Sequence, residues 1–534
     1  MIVMTNNMNV AEYLVKKLED EGVKYVFGLP GEQVLHIYEA LRKSKIKHIL
    51  VKHEQAAVHA ADAYARITGE YGVCIATAGP GAMNMVMGVS TAYKDNVPLL
   101  VITGDVKKNE KGSDCFQDID INGVFKPITL KSFYSNSPEK LMTNIEEVFN
   151  NKKCGINGPF HINIAKDIQN KTLDVDHRVI IKKKINTPLQ LSIQDTIKCI
   201  DESEKPLIIA GSGIIYADAM NEFYEFVEKT QIPVTTTFHA RGIINEKEDI
   251  NLGMTGIRAT KQAKYATEHA DLIIALGTRL CDRTTAHINC DNVIQVNTNQ
   301  EHQKVEQFYH NDVKKFLQLL NDKEIKQTNP KWYKRILSQG DYPKNKLTKT
   351  ELLNQEEVVR TILSKQDENI TFIYDAGQTP TYFTVDSKPQ RHSQLLFSGG
   401  YGPMGYSIPA SIGASFAREN DVIIACPGDG SAQMTIEELA VINTYKLPII
   451  IVIIDNQLLG IIKQWQDMAE YPNYQVKLEN PDFVQLAHAY NIEADEVTTI
   501  QQLSDKLDEV IKNKRPYLIH LNVADQHIPL PNKD

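Results

Sequence analysis

The sequence predicts an α/β protein built from three doubly wound parallel-sheet domains, and three observations carry that reading. The chain has 534 residues, too many for one hydrophobic core. Short Val- and Ile-rich runs, such as Val422–Cys426 and Ile449–Ile454, alternate with amphipathic stretches, which is the pattern of buried parallel strands joined by helices. Two polar stretches rich in Lys, Asn and Gln, Asn170–Pro188 and Asn321–Leu347, divide this alternation. They place the domains at 1–170, 189–322 and 351–534.

In the first unit the expected strands are Lys24–Phe27, His48–Val51, Gly72–Thr77 and Pro98–Thr103, with amphipathic helices over Gln55–Ile67 and Ala82–Tyr93. Tight turns at Pro30-Gly31 and Gly79-Pro80-Gly81 follow strands and precede helices. In the second unit strands are expected at Pro206–Ala210, Ile232–Thr237, Asp271–Leu276 and Asn292–Val296. Gly211-Ser212-Gly213 follows the first of these, a Gly-x-Gly too short to identify a nucleotide site alone. The first and third units share a strand-rich layout, which points to a duplicated ancestor.

Composition narrows the function. A hydrophobic fraction of 42% and a charged fraction of 23% are those of a globular protein, and a formal charge of −9 argues against a nucleic-acid surface. No apolar run is long enough to span a bilayer, and Met1–Val10 has no apolar core of signal-peptide length, so a cytoplasmic protein without a membrane partner is expected. The seven cysteines are scattered without Cys-x-x-Cys spacing, which predicts inert thiols rather than a metal or disulfide framework.

The candidate site lies where two adjacent strands end. Val422–Cys426 runs into Gly428-Asp429-Gly430, and Ile449–Ile454 runs into Asp455-Asn456, so both ends fall on the carboxyl edge where open α/β sheets bind ligands. Asp429 offers a carboxylate, Asn456 an amide oxygen twenty-seven positions later, and Leu458 a backbone carbonyl. Few protein oxygens, with room left for phosphate oxygens, suit Mg²⁺ better than Ca²⁺. Gly428 and Gly430 admit an anion close to the backbone, and the helix starting near Ser431 aims its N–H groups outward. Alone, Gly-Asp-Gly reads as an ordinary turn; the second strand ending in Asp-Asn reverses that preference.

Gly-Asp-Gly followed across a strand by Asp-Asn resembles the diphosphate-binding motif of thiamine diphosphate enzymes. More narrowly, Leu459-Gly-Ile-Ile-Lys-Gln-Trp-Gln466 resembles the catalytic subunit of the acetolactate synthase family. The resemblance covers nearly the whole chain. It implies pyrimidine-binding, central and diphosphate-binding domains in that order, with Mg²⁺ on Asp429, Asn456 and the Leu458 carbonyl. It also implies that the cofactor lies between the first domain of one subunit and the third of another. A homodimer is then the smallest competent unit, with a homotetramer and a separate regulatory subunit both open.

The same resemblance assigns further residues. Glu54, in Val51-Lys52-His53-Glu54-Gln55, could simply complement a helix N-terminus. It matches the family glutamate that bonds a ring nitrogen of the aminopyrimidine and so activates the thiazolium carbon. Gln117, in Cys-Phe-Gln-Asp, matches a glutamine near the reacting centre, Phe116 and Lys166 match residues lining substrate access, and Trp465 matches the tryptophan credited with acceptor preference in the family. Met404, in Ser-Gly-Gly-Tyr-Gly-Pro-Met-Gly, matches the wedge that bends the cofactor; Gly79, Gln378, Gly402 and Ser431 complete the implied cofactor set. Without those motifs, Met404 and Trp465 read as core residues.

Three stretches depart from the family pattern. Gly31-Glu32-Gln33 places a carboxylate where Gly-Gly is usual, and Gln378-Thr379-Pro380-Thr381-Tyr382 keeps only the first glutamine of Gln-His-Gln-Met-Trp. Both put the acceptor substrate in question more than the cofactor. In the central unit, Gly253-Met254-Thr255-Gly256 and Gly277-Thr278-Arg279-Leu280-Cys281-Asp282-Arg283 resemble segments that bind FAD, whereas Gln295-Val296-Asn297-Thr298-Asn299 replaces an acidic stretch expected at the adenosine end. FAD and an empty pocket holding an Arg–Asp ion pair both stand at this stage.

The activity that the resemblance implies is carboligation: pyruvate is decarboxylated, and the resulting enamine joins a second 2-oxo acid. A 2-oxo acid decarboxylase or acyltransferase is the alternative on the same cofactor, and a non-catalytic nucleotide-binding regulatory module is the alternative of another class.

Overall fold

The computed structural model describes residues 8–173, 193–326, 330–341 and 351–529. Most of the first polar stretch, residues 174–192, lies outside the described residues. The first sheet contains β1 (Tyr25–Gly28), β2 (Lys47–Leu50), β3 (Gly72–Ala76), β4 (Leu99–Asp105), β5 (Lys131–Ser135) and β6 (Pro159–Ala165). The second contains β7 (Pro206–Ala210), β8 (Val234–Thr236), β9 (Asn251–Met254), β10 (Leu272–Leu276), β11 (Val293–Asn297) and β12 (Gln307–His310). The third contains β13 (Ile370–Tyr374), β14 (Leu395–Leu396), β15 (Val422–Cys426), β16 (Ile449–Asp455), β17 (Glu493–Val497) and β18 (Tyr517–Asn522).

The spatial orders are β2-β1-β3-β4-β6-β5, β12-β11-β10-β7-β8-β9 and β14-β13-β15-β16-β18-β17. Each pairing within them is parallel. The three-domain parallel architecture expected from the sequence is therefore present. Counted from its own first strand, the third sheet repeats the order of the first, as a duplication would leave it. The central sheet has the order of a doubly wound dinucleotide fold.

The first and third domains share one apolar core. The helix Glu54–Thr68 begins at His53, whose ring accepts the Gln55 N–H at 3.2 Å, and ends at Gly69, whose φ of 72° needs no Cβ. Its small residues Ala56, Ala57, Ala60 and Ala61 let the helix Ser407–Ala417 approach closely. At the crossing, a Cβ on Gly413 would lie 1.8 Å from the Ala60 carbonyl oxygen.

All three domains meet at Arg66, which is 4% exposed. Its guanidinium donates to Asp62 at 2.6 Å and Asp95 at 2.8 Å, and lies 3.2 Å from Nδ1 of His239 in the central domain. From the third domain, the Tyr406 hydroxyl donates to Asp62 at 2.8 Å and the Ser398 hydroxyl to Asp95 at 3.1 Å. Burying this charge is tolerable only because each partner is hydrogen-bonded.

Part of the second polar stretch carries ordered structure. Pro330–Leu337 is a helix, Trp332 and Ile336 pack against the central sheet, and Trp332 Nε1 donates to the Pro206 carbonyl at 3.1 Å. Among the described residues, no helix is long and apolar enough to cross a membrane. The seven cysteines are free thiols, and burial raises Cys74 and Cys426 above the ordinary range.

Candidate active site

The carboxyl ends of β15 and β16 lie side by side, as the sequence predicted. Gly428 pairs with Ile454, and the Ile454 N–H donates to the Pro427 carbonyl at 3.0 Å. A cavity of about 280 Å³ opens at these ends. Its lining includes Gln378, Gly402, Met404, Gly428, Asp429, Gly430, Ser431, Asn456 and Leu458, which are the third-domain cofactor and metal candidates. No described residue of the first domain lines it.

Asp429 is 3% exposed, and burial, with the neighbouring carboxylate of Asp455, pushes it up to about 6. Its Oδ2 accepts from the Asn480 amide at 2.8 Å, and the same amide donates to Asp455 at 2.8 Å. Asp455 also lies 3.0 Å from Nε2 of His520. The Asn456 amide oxygen accepts the Leu458 N–H at 3.1 Å, which folds the loop so that Asn456 and Leu458 face the same cavity. Across it, Leu459 N–H donates to Val476 O at 2.8 Å and Leu478 N–H to Gln457 O at 2.9 Å, so the segment Val476–Asn480 braces the loop.

Gln378 keeps a structural position despite the changed residues after it. Its amide donates to Gln526 O at 2.8 Å and Gln464 Oε1 at 3.2 Å, and its oxygen lies 3.3 Å from Asn456 Nδ2. A Cβ on Gly460 would meet that oxygen at 2.2 Å. Met404 Cε lies 3.3 Å from the Cβ position of Gly430, so the thioether closes one wall of the cavity beside the glycine. Gly402 has a φ of 68°, a left-handed conformation that suits glycine.

The first-domain candidates gather separately. Glu54 is 6% exposed; its Oε2 accepts from Asn84 at 2.9 Å, and its Oε1 lies 3.2 Å from the Cβ position of Gly81. The turn at Gly79 (φ 59°) runs against Gln117, whose Cβ lies 3.0 Å from the Cβ position of Gly79. Gln117 has a φ of 66°, and its buried Oε1 has no partner among the described residues.

The remaining candidates are more open. Phe116 is 78% exposed and Trp465 62% exposed, so the core reading of Trp465 does not hold. Lys166 forms an ion pair with Glu32 at 2.5 Å, which gives the unusual carboxylate a partner. Asn84, Asn480, Gln464 and His520 were not foreseen. Only Asn84, the sole polar side chain of the short helix Pro80–Asn84, left a trace in the sequence.

A second cavity, of about 360 Å³, lies where all three domains meet at the ends of the central strands, with Asn96 and Asn157 of the first domain, Arg258 of the central and Pro380 of the third in its lining. Arg258, Arg279 and Arg283 line it, and none makes an ion pair with a carboxylate among the described residues, so the Arg–Asp pair envisaged for this pocket does not form. Asn297 ends β11, with its amide donated to the Thr278 carbonyl at 3.2 Å and its oxygen accepting the Asn299 N–H at 2.9 Å.

Comparison with known proteins agrees with this geometry. Residues 8–124 match the N-terminal thiamine pyrophosphate-binding domain of thiamine pyrophosphate enzymes, residues 193–320 their central domain and residues 375–521 their C-terminal thiamine pyrophosphate-binding domain. The fold is thus that of a thiamine diphosphate-dependent enzyme. The acetolactate synthase large subunit of Cyanidium caldarium is 37% identical, over 96% of this chain and 92% of its own. That of Pyropia yezoensis is 35% identical over 96% and 91%, and the isozyme 2 large subunit of Escherichia coli is 32% identical over 97% and 96%. The chain belongs to the acetolactate synthase large-subunit family.

Proposed function

We propose that the protein is the catalytic subunit of an acetolactate synthase that joins two 2-oxo acids with loss of CO₂, pyruvate being the donor. The observation that carries this reading is the single cavity in which Gly428–Ser431, Asn456, Leu458, Gln378, Gly402 and Met404 converge at the ends of β15 and β16.

The residues present fit thiamine diphosphate and Mg²⁺. A buried carboxylate at Asp429, an amide oxygen at Asn456 and a carbonyl at Leu458 form a hard oxygen set with room for diphosphate oxygens. Bound thiamine diphosphate supplies the carbanion equivalent that adds to the donor ketone. Glu54 holds a proton at a pyrimidine ring nitrogen, and Asn84 fixes its other oxygen. Gln117, whose buried oxygen has no partner among the described residues, would be available to the substrate, and Met404, in the cavity wall beside Gly430, would contact the bound cofactor. Phe116, Lys166 and Trp465 meet the substrates; their exposure in one chain is relieved when a second copy docks.

The Glu54 cluster and the Asp429 cavity are built by different domains of the chain, which supports a homodimer in which each half-site faces the other subunit's complement. The relatives' designation as large subunits supports a small regulatory partner. FAD forms no part of the proposed cofactor set. The three arginines would suit a diphosphate, but the strand end at Asn297 carries an amide already spent on Thr278 where a ribose-binding acid is expected.

The test is incubation of the purified protein with thiamine diphosphate, Mg²⁺ and pyruvate, with and without 2-oxobutyrate, and identification of the products by mass. Acetolactate, or its mixed homologue, is expected. Free aldehyde or an acyl phosphate without a new carbon–carbon bond would show a decarboxylase or acyltransferase instead.

A further inference from the structure

β2 is an edge strand: the Val51 N–H still donates to the Gly28 carbonyl of β1 at 3.3 Å, whereas the N–H groups of Leu50, Lys52 and His53 find their acceptors outside the first sheet. The third domain takes them. The Tyr445 hydroxyl accepts the Leu50 N–H at 3.1 Å, and Oε1 of Glu438 accepts both the Lys52 N–H at 2.9 Å and the His53 N–H at 3.0 Å. Glu438 has no exposed surface and sits where the turn Ile436–Glu438 enters the helix Leu439–Thr444. The two peptide groups that it holds immediately precede Glu54.

We propose that Glu438 is a positioning residue for Glu54, fixing the start of the catalytic helix to the third domain of the same chain through a single acceptor oxygen. This rests on the reading of Glu54 given above. The other oxygen, Oε2, has no partner among the described residues, so the two N–H bonds account for the side chain's role. The clamp needs an acceptor and not a charge. Burial pushes the Glu438 carboxyl up to about 8, in keeping with a neutral group at this seam. Glutamine supplies the same acceptor at the same reach. Alanine supplies none, and aspartate falls short by one methylene.

The test compares Glu438→Gln, Glu438→Asp and Glu438→Ala in the full chain. Three quantities are read: amide hydrogen exchange at Lys52 and His53, kcat and KM with pyruvate, and exchange of the thiazolium proton of bound thiamine diphosphate. In Glu438→Ala, or in Glu438→Asp should alanine prevent folding, both amides lose protection. The proton-exchange rate and kcat fall together by about ten- to a hundred-fold, with KM nearly unchanged, as a displaced catalytic group requires. Glu438→Gln restores all three. In a Glu54→Gln background, Glu438→Ala costs little further activity, because both act on one step. Loss of kcat in Glu438→Gln, or unaltered kcat in Glu438→Ala and Glu438→Asp, would overturn the proposal. If Glu54→Gln itself leaves proton exchange intact, the Glu54 reading fails, whereas amide protection still reports on the clamp.

Discussion

Asn480 donates one amide hydrogen to Asp429 and the other to Asp455, each at 2.8 Å. A single neutral side chain thereby bridges two neighbouring carboxylates and offsets part of their repulsion. It also fixes the orientation of the Asp429 carboxylate before any cation arrives. Replacing Asn480 with Ala should weaken Mg²⁺ binding by about ten- to a hundred-fold, the usual cost of losing an outer-shell partner. Calorimetric titration of Mg²⁺ in the presence of thiamine diphosphate checks this, and an unchanged affinity would count against it.

Glu54→Gln should lower kcat by about 10²–10⁴-fold while cofactor affinity stays close to that of the parent. Glutamine can still reach Asn84 but cannot hold the ring proton through a charge-assisted bond. Initial rates beside a cofactor titration separate the two effects.

Glu438 gives stability a pH dependence of defined sign. Its carboxyl is raised from 4.5 to about 8 in the native chain, mainly by burial. Between those values unfolding releases a proton, so its contribution is fully present below 4.5 and is lost as pH rises through about 8. The slope is at most about 1.4 kcal/mol per pH unit. Glu438→Gln should flatten the decline in urea midpoint over this range. Equal slopes in parent and variant would contradict the assignment.

Gly413→Ala should destabilise the fold by about 3 kcal/mol, the upper end for overpacking. Its new Cβ would lie 1.8 Å from a backbone oxygen that has nowhere to retreat. Thermal melting measures the loss.

Glu32→Gln should lower KM for pyruvate by up to about five-fold with kcat unchanged, because Lys166 then meets the substrate carboxylate without a competitor. The pair is open to solvent, so stability should move little. A KM that does not fall would remove Lys166 from the substrate path.

The sequence disclosed the β15–β16 junction because a parallel strand buried on both faces writes itself as a continuous apolar run. A ligand-binding edge likewise places glycine and acid just beyond it. Val422–Cys426 and Pro206–Ala210 were delimited to the residue. β9, with a glycine inside it, and β12, which reads Gln-Phe-Tyr-His, had no such signature and were missed. Asn480 was invisible for another reason. It stands two residues before Asp482, which caps the helix Phe483–Ala489, and so reads as part of an ordinary helix entrance. Its contacts with Asp429 and Asp455 span 51 and 25 positions. Glu438 was likewise hidden, since its partners are peptide groups about four hundred residues upstream, separated by 386 and 385 positions.

The knot at Arg66 bears on how this molecule can move. Because one guanidinium, through its carboxylates, is tied to side chains of every domain, rotating any domain away from the others strands a charge in a dry interior. Hinge bending within the subunit is therefore closed as a working motion. Opening and closing for substrate must then come from surface loops, and denaturation should proceed as a single cooperative event instead of domain by domain.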